Sequence, residues 1–210
     1  MSEFLKVYPD ARQVTLDAVI TGWLSAGGLS GSENDSERYD PVPKTAAERY
    51  EKLVCHGDLF LRFIPACDWF EVRFDPAWFT SLKLIEEESW NHGAVGGERR
   101  LAKRTDLSSL HEPHRVRVER LFAHPALPAL LDRQAILFGH SPLDEWSILD
   151  GNHRLLALAC QHQLAASPIA PFSIFVGISF GPCRWHGDPV VWQERPERTP
   201  GEKRYVLKVW

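Results

Sequence analysis

A mixed α/β fold, a small mixed sheet with flanking helices, is what this sequence predicts. Two observations carry the prediction. Short apolar runs rich in β-branched and aromatic residues alternate along the chain with longer runs of helical periodicity. Residues 146–178 also read as one strand–helix–strand unit: Trp146–Leu149, then Asn152–Gln163, then Phe172–Ile178. The composition agrees. The 210 residues are 44% hydrophobic and 25% charged, which is ordinary for a folded domain with a sizeable core.

Taken in order, residues 10–26 predict an amphipathic helix with Val14, Leu16, Ala18, Val19, Ile20, Trp23 and Leu24 on its apolar face, stopped by Gly27 and Gly28. Residues 29–44 are polar and turn-rich, hence a connection. Thr45-Ala46-Ala47-Glu48 has capping-box form and opens a helix toward Cys55. Asp58–Ile64 and Trp69–Phe74 predict a hairpin around residues 65–68, and Ser81–Ile85 a third strand. Leu107–Leu121 and Pro125–Leu131 read as helices, Ala135–Phe138 as a strand, and Tyr205–Trp210 as a final edge strand. This divides the chain into an N-terminal helical extension, 1–57, and an α/β domain, 58–210.

Several classes are disfavoured. A net charge of −4 argues against a general polyanion binder. The first residues lack the apolar core of a signal peptide, and no window approaches the roughly 20 apolar residues of a membrane span. Four cysteines without a C-x-x-C pair fit a reducing, cytoplasmic setting.

The chemistry concentrates at Asp150, Gly151, Asn152, His153 and Arg154, where an apolar strand meets an apolar helix. Asp-Gly is a turn signal, and Asn152 is a favoured helix N-cap. The first turn of any helix carries open N–H groups at its positive end, which suits an anion. Here Gly151 would let the anion approach, while His153 and Arg154 would add donors, the arginine as a planar fork. The other reading is a plain hairpin turn with a surface arginine.

The stretch Ile148–Ala159, ILDGNHRLLALA, resembles the strand–turn–helix signature of the ParB/sulfiredoxin superfamily, closest to its free-serine-kinase-like branch. A looser match in element order spans residues 81–180. The resemblance implies a ParB/sulfiredoxin-like core in which Gly151, Asn152, His153 and Arg154 hold ATP, ADP or CTP, with Mg2+ as a companion ion. It implies a phosphotransferase acting on a small hydroxylated substrate. A glutamate after an early strand, Glu87 with Glu86 and Glu88 beside it, would be catalytic. Asp150 would orient His153, hold a metal or cap the turn. Sulfiredoxins carry a reactive cysteine where this chain has Asn152, so their chemistry is not expected. Only 47 residues follow Gln163, with no helix-turn-helix pattern, so a DNA-partition role is not expected either. A nucleotide-gated interaction module without turnover, binding a protein partner, is the rival reading.

Other signals point less sharply. VGGERR, residues 95–100, holds a G-E-R-R string without a strand running into it. Basic residues gather in 99–120, the basis for a third reading as a nucleic-acid-acting protein. His111-Glu112-Pro113-His114 and Cys183-Arg184-Trp185-His186-Gly187-Asp188 contain metal-ligand types, but neither has structural-zinc spacing.

Overall fold

The structure is a computed structural model. It describes residues 2–25, 44–49, 66–86, 90, 98–124, 126–165, 168–183 and 186–188, and the backbone of 191–195 and 204–208. The main elements are α1 (Glu3–Val7), β1 (Arg12–Val14), α2 (Leu16–Ser25), β2 (Asp68–Arg73), β3 (Leu82–Lys83), α3 (Glu112–Phe122), β4 (Ile136–Gly139), β5 (Trp146–Asp150), α4 (Asn152–Ala165), β6 (Ser173–Ile178), β7 (Val191–Arg195) and β8 (Arg204–Lys208). The first six strands form one mixed sheet in the order β1-β2-β6-β4-β5-β3, and β7 pairs with β8 in a separate antiparallel ribbon. The predicted class, a mixed sheet with flanking helices, is the observed one.

β4 sits between β6 and β5, and all four of its residues are buried, as a strand covered on both faces requires. It runs parallel to β6 and antiparallel to β5. β5 and β6 are therefore neither neighbours nor parallel. The expected strand–helix–strand unit is split, because the apolar run 136–139 takes the central slot. α4 packs on α3, tied where Gln161 Nε2 donates to the Phe122 carbonyl at 2.6 Å.

The N-terminal helix begins later than expected. Thr15 Oγ1 accepts from Ala18 N–H at 3.2 Å and so caps α2. This leaves Arg12–Val14 extended, paired antiparallel with β2. The Phe4 ring stacks on Phe70, with centroids 4.3 Å apart. Residues 2–25 thus share the sheet and core of the rest, so they are not a separate extension. The capping box is present: Thr45 N–H donates to Glu48 at 3.1 Å, and Glu48 N–H donates to Thr45 at 3.2 Å. Leu107–Ser109 is a 3-10 turn capped by Asp106, and α3 starts only at Glu112, with Pro113 in its first turn, where a proline costs no hydrogen bond. Pro125–Leu131 yields a 3-10 turn at Ala129–Leu131 rather than a helix. Strand 58–64 and its hairpin lie outside the described residues; β2 pairs with β1 and β6. The C-terminal strand is a ribbon partner of β7, which was not expected.

Candidate functional site

Two regions gather chemistry at opposite ends of β5. The first is the predicted seam at its C-terminal end. Gly151 has φ +90°, in the left-handed region, and a Cβ added there would lie 3.2 Å from Ala135 Cβ. The glycine is needed: its left-handed backbone and the closeness of Ala135 both disfavour a Cβ at this position. Asn152 is not a side-chain cap. Its Oδ1 accepts from Ile85 N–H at 3.1 Å, and its Nδ2 donates to the Ile148 carbonyl at 3.1 Å, so it ties the chain after β3 to the start of α4.

The two expected cationic arms also turn inward. His153 Nε2 lies 2.9 Å from His114 Nδ1, and its ring centroid is 4.6 Å from that of Trp90. Burial, with help from Arg117, His114 and Arg154, pushes its pKa down to about 2, so this imidazole is neutral at pH 7. Arg154 donates from Nη1 to the Leu130 carbonyl (3.3 Å) and Gln134 Oε1 (2.9 Å), and from Nη2 to the Gln134 carbonyl (3.2 Å) and Asp150 Oδ2 (3.4 Å). Its fork grips the protein itself, and Asp150 faces Arg154 rather than His153. Glu87 and Glu88 lie outside the described residues. Glu86 Oε2 is 2.6 Å from Arg99 Nε.

What the seam leaves unpaired is main chain. Leu155 N–H makes the first helical bond, to the Gly151 carbonyl at 2.8 Å. Among the described residues, no acceptor meets the backbone N–H of Asn152, His153 or Arg154. The side chains fix the turn, and its N–H groups are left at the positive end of a 14-residue helix.

The second region lies near the N-terminal end of β5 and was missed as a unit. His140 follows β4, whose neighbour β6 ends beside it, joined by Ser179 N–H to the Gly139 carbonyl at 3.2 Å. His140 Nδ1 meets the Ser179 carbonyl at 2.7 Å, and its Nε2 meets Asp188 Oδ2 at 2.9 Å. His186 Nδ1 meets Ser147 Oγ of β5 at 3.0 Å. Cys183 and residues 186–188 are bonded to one another around these groups. The Cys183 carbonyl accepts from His186 N–H (3.0 Å) and Asp188 N–H (3.3 Å), while Cys183 N–H donates to Asp188 Oδ2 at 2.6 Å. Gly187 makes the turn with φ +95°. Arg99 pins it, donating to the His186 carbonyl at 2.8 Å and the Leu84 carbonyl at 3.0 Å. Burial pulls the His140 pKa down, but the Ser179 carbonyl and Asp188 outweigh it and raise it above the usual value. Burial pushes His186 down to about 4.

One donor atom each from His140, His186 and Asp188 lies within 4.8 Å of the others, and these residues could hold a metal ion. The sequence pointed to His186 and Asp188 as ligand types. The third member stands 46 residues earlier than His186, and no local spacing joins them. Three of the seven basic residues in 99–120 form ion pairs: Arg99 with Glu86, Arg100 with Glu98 and Glu145, and Arg115 with Glu119. That weakens a nucleic-acid surface there.

Fold and site together define a mixed α/β protein with an unpaired helix start at one end of β5 and a histidine–aspartate cluster toward the other. Compared with known proteins, the chain matches no family model, no curated protein and no solved structure. Among the described residues, no helix is long and apolar enough to cross a membrane.

Proposed function

We propose that the protein binds the phosphate groups of a nucleotide, such as ATP, ADP or CTP, on the first turn of α4, and transfers a phosphoryl group to a small hydroxylated substrate. One observation carries the binding: three consecutive main-chain N–H groups, at residues 152–154, without an acceptor among the described residues. Rigid donors of this kind suit a phosphate better than mobile side chains, because little ordering accompanies binding. Arg154 then contributes a fixed positive charge behind the turn rather than a direct grip. The transfer step draws on the D-G-x-H-R resemblance and on the acidic run after β3. The Ile85–Asn152 hydrogen bond ties the residue just before that run to the start of α4. Glu86 and Glu87 would accept the hydroxyl proton or hold Mg2+.

A second reading, nucleotide binding without turnover, is favoured by one observation. With His153 neutral and the Arg154 fork engaged, the described seam has no mobile cation to follow a transferring phosphoryl group. Amide NMR during an ADP and ATP titration tests the site. Saturable, downfield movement of the Asn152, His153 and Arg154 amides is expected. Binding that leaves those amides unmoved, or no binding at millimolar nucleotide, removes the proposal. Phosphorus NMR of ATP with small alcohols and hydroxy acids then separates transferase from module.

A further inference from the structure

We propose that His140, His186 and Asp188 form a site for a first-row divalent transition ion of the zinc class, with coordination positions left open for an oxygen ligand. This goes beyond the nucleotide reading: it uses different residues, near the other end of β5, and does not depend on it.

A ligating histidine offers one ring nitrogen and is oriented by a partner on the other. His140 Nδ1–H donates to the Ser179 carbonyl at 2.7 Å, so Nε2, which donates to Asp188 Oδ2 at 2.9 Å without a metal, is the nitrogen an ion would take in exchange for its proton. His186 Nδ1 is held by Ser147 Oγ at 3.0 Å, which leaves its Nε2 as the donor. Asp188 Oδ2 is fixed by Cys183 N–H at 2.6 Å. All three donors therefore come with the outer partners that a metal site requires: Ser147 of β5, Ser179 just past β6, and Cys183 in the loop that follows.

Distance comes next. Metal bonds of about 2.0–2.2 Å in a tetrahedron separate neighbouring ligand atoms by roughly 3.3–3.5 Å. The three donors fall within 4.8 Å of one another, with His140 Nε2 and Asp188 Oδ2 at 2.9 Å. Side-chain shifts of about 1 Å, small for partly exposed groups, would bring them to bonding positions. A simple histidine–aspartate ion pair would explain two of the members. It leaves unexplained why Arg99 and the Gly187 turn hold a second imidazole against the same carboxylate.

Ligand chemistry names the ion. Two imidazoles and one carboxylate suit Zn2+, Co2+ or Fe2+, whereas Mg2+ and Ca2+ take oxygen shells. Structural zinc is closed by four protein ligands; three ligands on partly exposed residues leave room for water or a substrate oxygen.

Cobalt serves as the spectroscopic probe. Titrating the purified full chain with Co2+ should produce the visible bands of a four- or five-coordinate ion at one equivalent, displaced by Zn2+. His140→Ala and Asp188→Asn should each weaken Zn2+ binding at least 10- to 100-fold by calorimetry, while His124→Ala, a histidine outside the cluster, should bind as the wild type does. Melting curves of the metal-free variants show whether each is folded, and Asp188→Asn keeps an acceptor for Cys183 N–H should His140→Ala fail to fold. No saturable binding, or binding that survives both cluster substitutions in folded protein, overturns the site.

Discussion

The two ends of β5 use their residues in opposite ways. At the seam, Asn152, His153 and Arg154 are turned into the protein, and the main chain is what remains for a ligand. At the loop, the backbone of Cys183, His186 and Asp188 is bonded internally, and the side chains converge on one another. The lesson is that a polar side chain at a turn is not available merely because its type suits a ligand. Availability is decided by whether the fold needs its hydrogen bonds elsewhere.

That contrast predicts a large stability difference. Asn152→Leu removes two hydrogen bonds and leaves the Ile85 N–H and the Ile148 carbonyl without that partner in a buried setting. Each orphaned group costs about 1–3 kcal/mol, so urea unfolding should show a loss of about 3 kcal/mol. A loss below about 1 kcal/mol would mean that Asn152 is not a latch and that the side chains of the seam are free after all.

The next largest effect is a pH dependence. His153 has a folded pKa of about 2, against about 6.5 unfolded. The unfolded chain therefore binds the extra proton, and stability is complete above pH 6.5 and falls as the pH drops toward 2. At pH 5 this group alone accounts for about 2 kcal/mol relative to pH 8. Unfolding at both values, in wild type and in His153→Phe, isolates it: the loss should be about 2 kcal/mol smaller in the variant. Equal losses would place the His153 imidazole in contact with solvent and restore it as a cation. Arg154→Lys comes third. A lysine cannot span the Leu130 and Gln134 carbonyls together, and about 1–2 kcal/mol should be lost without ligand present.

Much of this architecture is legible in the residues, and the illegible parts share a cause. The apolar runs at 136–139, 146–150 and 173–178 announce strands because a covered strand is apolar on both faces. Their order in the sheet is not legible, because sheet neighbours are chosen by packing far along the chain. The seam was found because Asp-Gly-Asn is local turn chemistry, and Gly151 does adopt the left-handed backbone. What each seam side chain bonds to was not found, since Gln134, His114 and Ile85 are remote in sequence. His140 escaped notice for the same reason. A histidine after a strand carries no local signal, and only the parallel pairing of β4 with β6 brings it toward Asp188.

The smallest effect tests the other half of the contrast. If loop 183–188 presents its side chains rather than leaning on them, conservative removal should barely change the metal-free protein. Asp188→Asn keeps an oxygen for Cys183 N–H and gives up only the charge facing His140. Both side chains are partly exposed, at 29% and 21%, so solvent screens that pair, and about 0.5 kcal/mol or less should be lost. Adding Zn2+ then separates the two proteins. Binding to the folded state alone stabilises by about 2.7 kcal/mol at a hundred times Kd, and this should appear in the wild type and be absent from Asp188→Asn. A metal-free loss of several kcal/mol would instead make Asp188 a structural group like Asn152. The two ends of β5 would then follow one rule rather than two.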